Sequence, residues 1–313
     1  MESLTEVIEH HPDLTMSDTV PLEQRYKASM VLSGAGDALG CNHGTWEFEN
    51  DGVLIHEQVQ KRGGLEKLDA IDFPVSDDTV MHLATAEALV KVGEGEGASL
   101  PVLYRALVEK YIVSMTDMAG RGAGDLRGSG TGSVDTHHAL REGHPACGHR
   151  LMEVLDKAKE YVRHSGNCVE LNMAHWDYFG IQWKSYLEKR GILDGKSKPQ
   201  FPDFYGVKER ESFYRAVSFK GCGGASGHDA PMIAYDALLR AGDSWVELAN
   251  HGFFHGGDSD STAVIAAAWW GALFGFRGVP EINYQRLEYR DRLSKLGERL
   301  YKLRGKHLGS LKE

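Results

Sequence analysis

Residues 255–275 read HGGDSDSTAVIAAAWWGALFG, and this stretch decides the fold. Its second part, Ala263–Gly275, is apolar on nearly every side of a helix, which is typical of the central helix of a bundle. The part before it places carboxylates and hydroxyls at the entrance of that helix. A bilayer span needs ~18 or more apolar residues. The stretch is shorter than that, so we expect a buried core helix.

Helical spacing dominates the rest of the chain, because apolar residues recur three and four positions apart. Alternating strand patterns are scarce, and the best candidate is the short segment Gly52–Ile55, whose pattern is weak. No linker rich in proline and serine divides the chain. The pattern predicts an all-α protein with a single compact domain. The other predicted helices are Gln24–Leu39, Asp77–Val92, Leu100–Met118, Arg150–Val162, Leu171–Arg190, Ala230–Arg240, Ser244–His251 and Tyr284–Leu303, and the central helix is expected over Ser259–Phe276.

Composition narrows the class of protein. The 313 residues include 45 acidic and 35 basic side chains, whereas a general nucleic-acid binder carries a basic face. The four cysteines are far apart, which favours a reducing compartment. Residues 1–20 have no apolar core of a signal peptide. We expect a cytoplasmic protein that binds neither nucleic acid nor membrane and is a monomer.

Two short segments combine hydroxyls and paired carboxylates at the start of a helix, Ser76–Thr79 and His255–Thr262. Each alone is well explained as a helix N-cap. Their duplication favours a second interpretation, in which four carboxylates gather around divalent cations such as Mg²⁺, Mn²⁺ or Ca²⁺. The second segment is not an EF-hand, because Ala263 and Trp269 stand where that loop needs Gly and Glu. The four carboxylates belong to Asp77, Asp78, Asp258 and Asp260.

Three weaker motifs have structural interpretations. Residues 34–40, GAGDALG, differ in glycine spacing from a dinucleotide-binding turn and follow no strand, so we expect close helix packing or a bend. His82 follows Asp78 by one turn and could orient that carboxylate, although a core histidine is the simpler explanation. The aromatic residues within Trp176–Trp183 are expected in the core.

Long stretches of this sequence resemble the ADP-ribosylarginine hydrolases of the ADP-ribosylglycohydrolase family, the family of the dinitrogenase-reductase-activating glycohydrolases. The resemblance runs from about Gln24 to Leu303 with one gap. It implies an all-α fold with a two-Mg²⁺ site. The stretches that carry it are Ser33–Gly40, Val75–Leu89, Gly227–Asp236 and Phe254–Thr262.

The same resemblance implies the site residues. Glu47 matches an acidic position in a mobile flap near the metals. The loop from Phe219 to Ser226 matches the segment that holds the adenosine end of the substrate, with Phe219 stacking on adenine. Within this loop the expected contacts are Phe219, Gly221, Gly223, Gly224 and Ser226. The implied metal ligands are Ser76, Asp77, Asp78, Asp258, Asp260 and Ser261.

The implied reaction is hydrolysis of the N-glycosidic bond between ADP-ribose and the arginine side chains of modified proteins. Such a bond breaks through an oxocarbenium-like transition state. Paired metal ions can orient ribose hydroxyls and make a water molecule more acidic. We expect Asp77 or Asp78 to act as the base, with Asp258 and Asp260 mainly as ligands.

The chain departs from the family in one place. The match includes the stretch Arg121–Pro145, stops after it and resumes near Arg150. Between these two points the family carries some tens of additional residues. That block includes a glycine-rich turn for the diphosphate and a His-Pro segment beside the distal ribose. The expected organisation is therefore a flexible extension over residues 1–22 and a helical domain over 23–313 that lacks an internal block near 146–150. The alternative function is a catalytically inactive relative with a binding or structural role.

Overall fold

The computed structural model describes residues 20–121, 147–166 and 168–304. Over these residues the protein is all-helical, as predicted, with eleven α-helices and no β-strand. The expected extension over residues 1–22 lies almost wholly outside the described residues. The helices are α1 (Leu22–Cys41), α2 (Gly52–Lys61), α3 (Asp77–Glu94), α4 (Leu100–Ser114), α5 (Cys147–Ser165), α6 (Val169–Lys189), α7 (Val207–Val217), α8 (Asp229–Ala241), α9 (Trp245–Gly252), α10 (Ser259–Phe274) and α11 (Arg290–Leu303).

Helix α10 is the central helix that its sequence predicts, and α1 packs along it. The contact depends on glycine, because a Cβ atom on Gly36 would lie 2.4 Å from the carbonyl oxygen of Ala263. A Cβ on Gly40 would lie 2.9 Å from Asp260 Cα, and one on Gly271 would lie 2.4 Å from Ser29 N. The GAGDALG motif is therefore a helix-packing surface. It brings α1 against the first turn of α10, where the acidic segment lies.

Large aromatic side chains fill the core around α9 and α10. Trp245, Trp270 and Phe253 are almost completely buried, and the ring of Trp245 meets the other two edge to face. The indole nitrogen of Trp245 donates to Asn283 Oδ1 at 3.2 Å. Because this buried asparagine also donates to the carbonyl oxygen of Leu65, its polar groups are paired, as burial requires.

The candidate strand Gly52–Ile55 is not a strand, because these residues begin helix α2. Asp51 caps that helix by accepting hydrogen bonds from Val53 N and Leu54 N. Ile55 and Val59 are buried on one face of this helix. They lie four positions apart, so the four residues Gly52–Ile55 alone do not show the helical spacing.

The structure also differs from the sequence predictions at one helix boundary and by one additional helix. The last helix begins at Arg290 rather than Tyr284, because Glu281–Asn283 form a short 3-10 helix, residues 284–289 continue as turns, and Tyr289 has a left-handed backbone with φ of 59°. Helix α7 was not predicted at all. It begins with a run of charged residues, Lys208–Glu211, and its apolar residues lie mostly in its second half.

Candidate functional site

The two acidic segments come together at the N-termini of α3 and α10. Ser261 Oγ donates a hydrogen bond to Asp78 Oδ2 at 2.9 Å, across 183 positions of sequence. Both segments also cap their helices, since Ser76 Oγ accepts from Asp78 N at 3.1 Å and Asp258 Oδ1 accepts from Ser261 N at 3.4 Å. Capping and clustering are therefore two consequences of the same residues. The structure gathers all six of the expected metal ligands on these two turns.

A fifth carboxylate, from helix α1, supports the cluster. Asp37 is fully buried, and its Oδ2 accepts hydrogen bonds from Ser76 N at 3.0 Å, from Thr79 N at 3.1 Å and from the Thr79 hydroxyl. Its Oδ1 has no hydrogen-bond partner among the described residues. Burial raises the pKa of Asp37 to about 6, against the lowering effect of these hydrogen bonds. Asp37 is not among the site residues expected from the sequence, although an acidic residue among the small residues of GAGDALG is a signal for such a role.

The cluster concentrates negative charge in a poorly solvated place. Burial raises the pKa of Asp78 well above its ordinary value, and the charges of Asp37 and Asp258 raise it further. The pKa of Asp260 is likewise raised by burial first and by Asp78 next. Mutual repulsion of this kind is relieved when cations bind between the carboxylates. The donors are carboxylate and hydroxyl oxygens, the set that hard divalent cations prefer. The residues present therefore fit the expected metal site.

Glu47 lies beside the cluster, on the segment between α1 and α2. Burial raises its pKa to about 7, and the charges of Asp258 and Asp77 contribute to that shift. Its carboxylate, the Cys41 thiol and a carboxylate oxygen of Asp260 lie within 4.8 Å of one another. The pKa of Cys41 is itself raised, chiefly by burial, and the thiol donates toward Glu47 Oε2 at 3.8 Å. Cys41 is therefore a protonated neighbour of an all-oxygen site.

Backbone hydrogen bonds join the Glu47 segment to the acidic segment of α10. Gly257 O accepts from Phe48 N at 2.7 Å, and Gly257 N donates to Glu49 O at 2.7 Å. On the other side, Asp258 N donates to Gly223 O, also at 2.7 Å. A Cβ on Gly257, which has φ of 119°, would lie 2.3 Å from Gly223 O. Glycine is therefore required where these three segments meet.

The predicted adenosine loop lies next to this junction and is held by Asp229, the first residue of α8. Asp229 accepts hydrogen bonds from Phe219 N at 2.8 Å, Ser226 N at 3.1 Å and Ser226 Oγ at 2.8 Å. Gly221 and Gly224 have positive φ values within the loop. The loop therefore has a defined conformation that leaves the Phe219 ring half exposed, available to stack on a ligand.

The aromatic residues of α6 divide between the core and this loop. Trp183 is buried, as expected. Tyr178 is not a core residue, because 43% of it is exposed and its ring meets Phe219 and His228 edge to face at 6.3 and 5.1 Å. His82 lies with its Nδ1 3.1 Å from Ser33 Oγ, so α1 contacts this ring.

The sequence profile of the ADP-ribosylglycohydrolase family matches residues 18–164 and 136–308 of this chain. The chain belongs to the ADP-ribosylglycohydrolase family. Its all-helical fold is consistent with that family, and membership supports ADP-ribose glycohydrolase activity.

Two relatives show how far this similarity extends. The chain is 33% identical to ADP-ribosylhydrolase ARH1 of Dictyostelium discoideum over 370 aligned positions, which cover 89% of this chain and 94% of the relative. It is 22% identical to L444 of Acanthamoeba polyphaga mimivirus, which its name describes as a candidate ADP-ribosyl glycohydrolase; that alignment covers 83% of this chain and 66% of the relative. The first alignment is longer than this chain, so the Dictyostelium protein has residues with no counterpart here.

Among the described residues, no helix is long and apolar enough to cross a membrane.

Proposed function

We propose that this protein hydrolyses the N-glycosidic bond between ADP-ribose and arginine side chains, and that the reaction depends on two Mg²⁺ ions. The observation that carries the proposal is the contact between Ser261 and Asp78, which unites two Ser/Asp segments into one acidic site. The ions would be held by Ser76, Asp77, Asp78, Asp258, Asp260 and Ser261.

Bound Mg²⁺ would lower the pKa of a water molecule and orient the ribose hydroxyls. The chain's own groups supply the rest. Asp77 or Asp78 takes the proton of the attacking water, and the surrounding carboxylates favour the positive charge that develops on the ribose. Phe219 stacks on the adenine, while the loop that Asp229 holds receives the adenosine end. Glu47 faces the same site from the flap.

The second candidate function is a catalytically inactive relative with a binding role. It is favoured by the alignment with the Dictyostelium protein, in which this chain lacks residues that the relative has. It is also favoured by the surface of α4, where Val108, Ile112 and Val113 are each more than half exposed. Exposed apolar surface of this kind marks a face that another segment or partner normally covers.

Release of ADP-ribose from ADP-ribosyl-arginine by the purified chain separates the two functions. We expect turnover that rises with added Mg²⁺ and stops when a chelator removes the metal. The Dictyostelium relative serves as the comparison under the same conditions. No turnover by this chain beside an active relative would select the inactive alternative. ADP-ribosyl-serine, tested in parallel, shows whether the acceptor is arginine.

A further inference from the structure

Helix α7 contacts both segments that meet at the acidic site. Glu211, on its inner face, accepts the hydrogen bond of Gly256 N with both carboxylate oxygens, at 3.1 and 3.0 Å. One turn later, Arg215 Nη2 donates to the carbonyl oxygen of Asn50 at 3.2 Å. One helix therefore binds the loop that leads into α10 and the segment that leads into α2.

The Glu211 carboxylate fills the space between these two segments. A Cβ on Gly52 would lie 2.2 Å from Glu211 Oε1, and a Cβ on Gly256 would lie 2.7 Å from Glu211 Oε2 and 2.9 Å from Asn50 O. Gly52 is the first residue of α2, so the carboxylate also lies at a helix N-terminus, where a negative charge is favourable. Two glycines thus provide the room that this one carboxylate occupies.

The contact lies next to the residues of the proposed chemistry. Gly256 precedes Gly257, whose backbone pairs with Phe48 N and Glu49 O on the flap. Glu47 is adjacent to Phe48 in the chain, and Asp258 is adjacent to Gly257. A displacement of Gly256 would therefore move both sides of the site.

We propose that Glu211 is a positioning residue that sets the flap carrying Glu47 against the loop that leads to Asp258 and Asp260. This inference rests on the proposed function for its consequence in catalysis, but not for the geometry. Without an acceptor at position 211, the partly buried Gly256 N–H loses its partner. The Gly256–Gly257 segment then loosens, and with it the backbone pairing of the flap to Gly257, the residue before Asp258.

The variants Glu211→Ala and Glu211→Gln test the proposal, with Glu209→Ala as the matched control on the exposed side of the same helix. Hydrogen exchange at the amides of Phe48 and Gly257 directly measures the backbone pairing between the flap and the loop. We expect exchange about tenfold faster in Glu211→Ala, an intermediate rate in Glu211→Gln, which keeps one acceptor oxygen, and an unchanged rate in the control.

Calorimetric titration with Mg²⁺ alone gives the second readout, with an expected loss of affinity of about tenfold in Glu211→Ala. In turnover, kcat should fall while KM at saturating Mg²⁺ stays the same, because the adenosine loop is held separately by Asp229. Unchanged amide exchange and Mg²⁺ affinity in both Glu211 variants would overturn the proposal, and if the alanine variant does not fold, Glu211→Gln alone decides. Exchange and Mg²⁺ binding need no turnover, so an inactive wild-type chain would contradict the proposed function while leaving this test intact.

Discussion

Ser261 Oγ and Asp78 Oδ2 lie 2.9 Å apart, and this hydrogen bond joins the first turns of two helices that are far apart in sequence. Each turn alone is an ordinary N-cap. Together with the buried Asp37, they form a cluster in which burial and mutual repulsion raise the pKa values of several carboxylates. Such a cluster disfavours the metal-free folded state and favours cation binding.

Replacement of one carboxylate in each turn tests the metal site. Asp77→Asn and Asp258→Asn should each lower the Mg²⁺-dependent release of ADP-ribose by about 100-fold or more, because a neutral amide is a weaker ligand and cannot act as a base. The assay is release of ADP-ribose from ADP-ribosyl-arginine at saturating Mg²⁺. Asp243→Asn, on an exposed turn, is the control and should keep full activity. Undiminished turnover in either site variant would contradict the assignment.

The stability of the metal-free protein should depend on pH in an unusual direction. Glu47 and Asp37 have pKa values raised to about 7 and about 6, so their contribution to stability is fully present at low pH and is lost as pH rises through those values. Three histidines have the opposite effect on stability, but only below about pH 6.5. Burial lowers their pKa values to about 4, 3 and 4 for His56, His251 and His255.

Between pH 6.5 and 8 the carboxylates therefore decide whether stability rises or falls with pH. The metal-free protein should unfold at a higher temperature at pH 6.5 than at pH 8. The gain from Glu47 is below about 1 kcal/mol, because its partial exposure screens the shift. Thermal unfolding with a chelator at the two pH values measures it. Added Mg²⁺ should remove most of the difference. A metal-free protein that is more stable at pH 8 than at pH 6.5 would contradict the raised pKa values of these carboxylates.

The packing of α1 on α10 predicts a large effect of a single methyl group. Gly36→Ala should lower the free energy of unfolding by about 1 to 3 kcal/mol, because the new Cβ would clash with the backbone of Ala263. Gly180→Ala on α6 is the matched control. Its nearest neighbour, 3.3 Å away, is the side chain of Leu155, so alanine should be neutral or stabilise the helix. Urea denaturation compares the two, and equal effects would contradict the packing argument.

The half-exposed Phe219 ring should carry part of the affinity for the nucleotide. Phe219→Ala is expected to raise the Kd for ADP-ribose by roughly 5- to 150-fold, since stacking on a base contributes about 1 to 3 kcal/mol. Phe204→Ala removes another exposed aromatic ring that is not part of the adenosine loop, and its Kd should match the wild type. Calorimetry with ADP-ribose measures both. Equal affinity of all three proteins would remove Phe219 from the binding site.

Much of the fold and of the site could be predicted because the signals are local. The helix entrances at Ser76 and Asp258 combine capping residues with paired carboxylates, and the apolar stretch after Asp258 marks its own burial. Other parts have no local signal. Tyr178 has the spacing of a core residue, and only the position of the neighbouring loop leaves it exposed beside Phe219.

The sequence by itself determined the helical class, the central helix, the family and the six oxygen donors expected to bind metal, because each depends on residue type and short-range spacing. Tertiary structure alone decided that Asp37 supports the cluster, that Asp229 holds the loop predicted to receive adenosine, and that Glu211 lies between the flap and the loop that leads into α10. These roles arise from contacts between residues far apart in the chain. A carboxylate's position and pKa depend on which groups fold against it, and no short stretch of sequence contains that information.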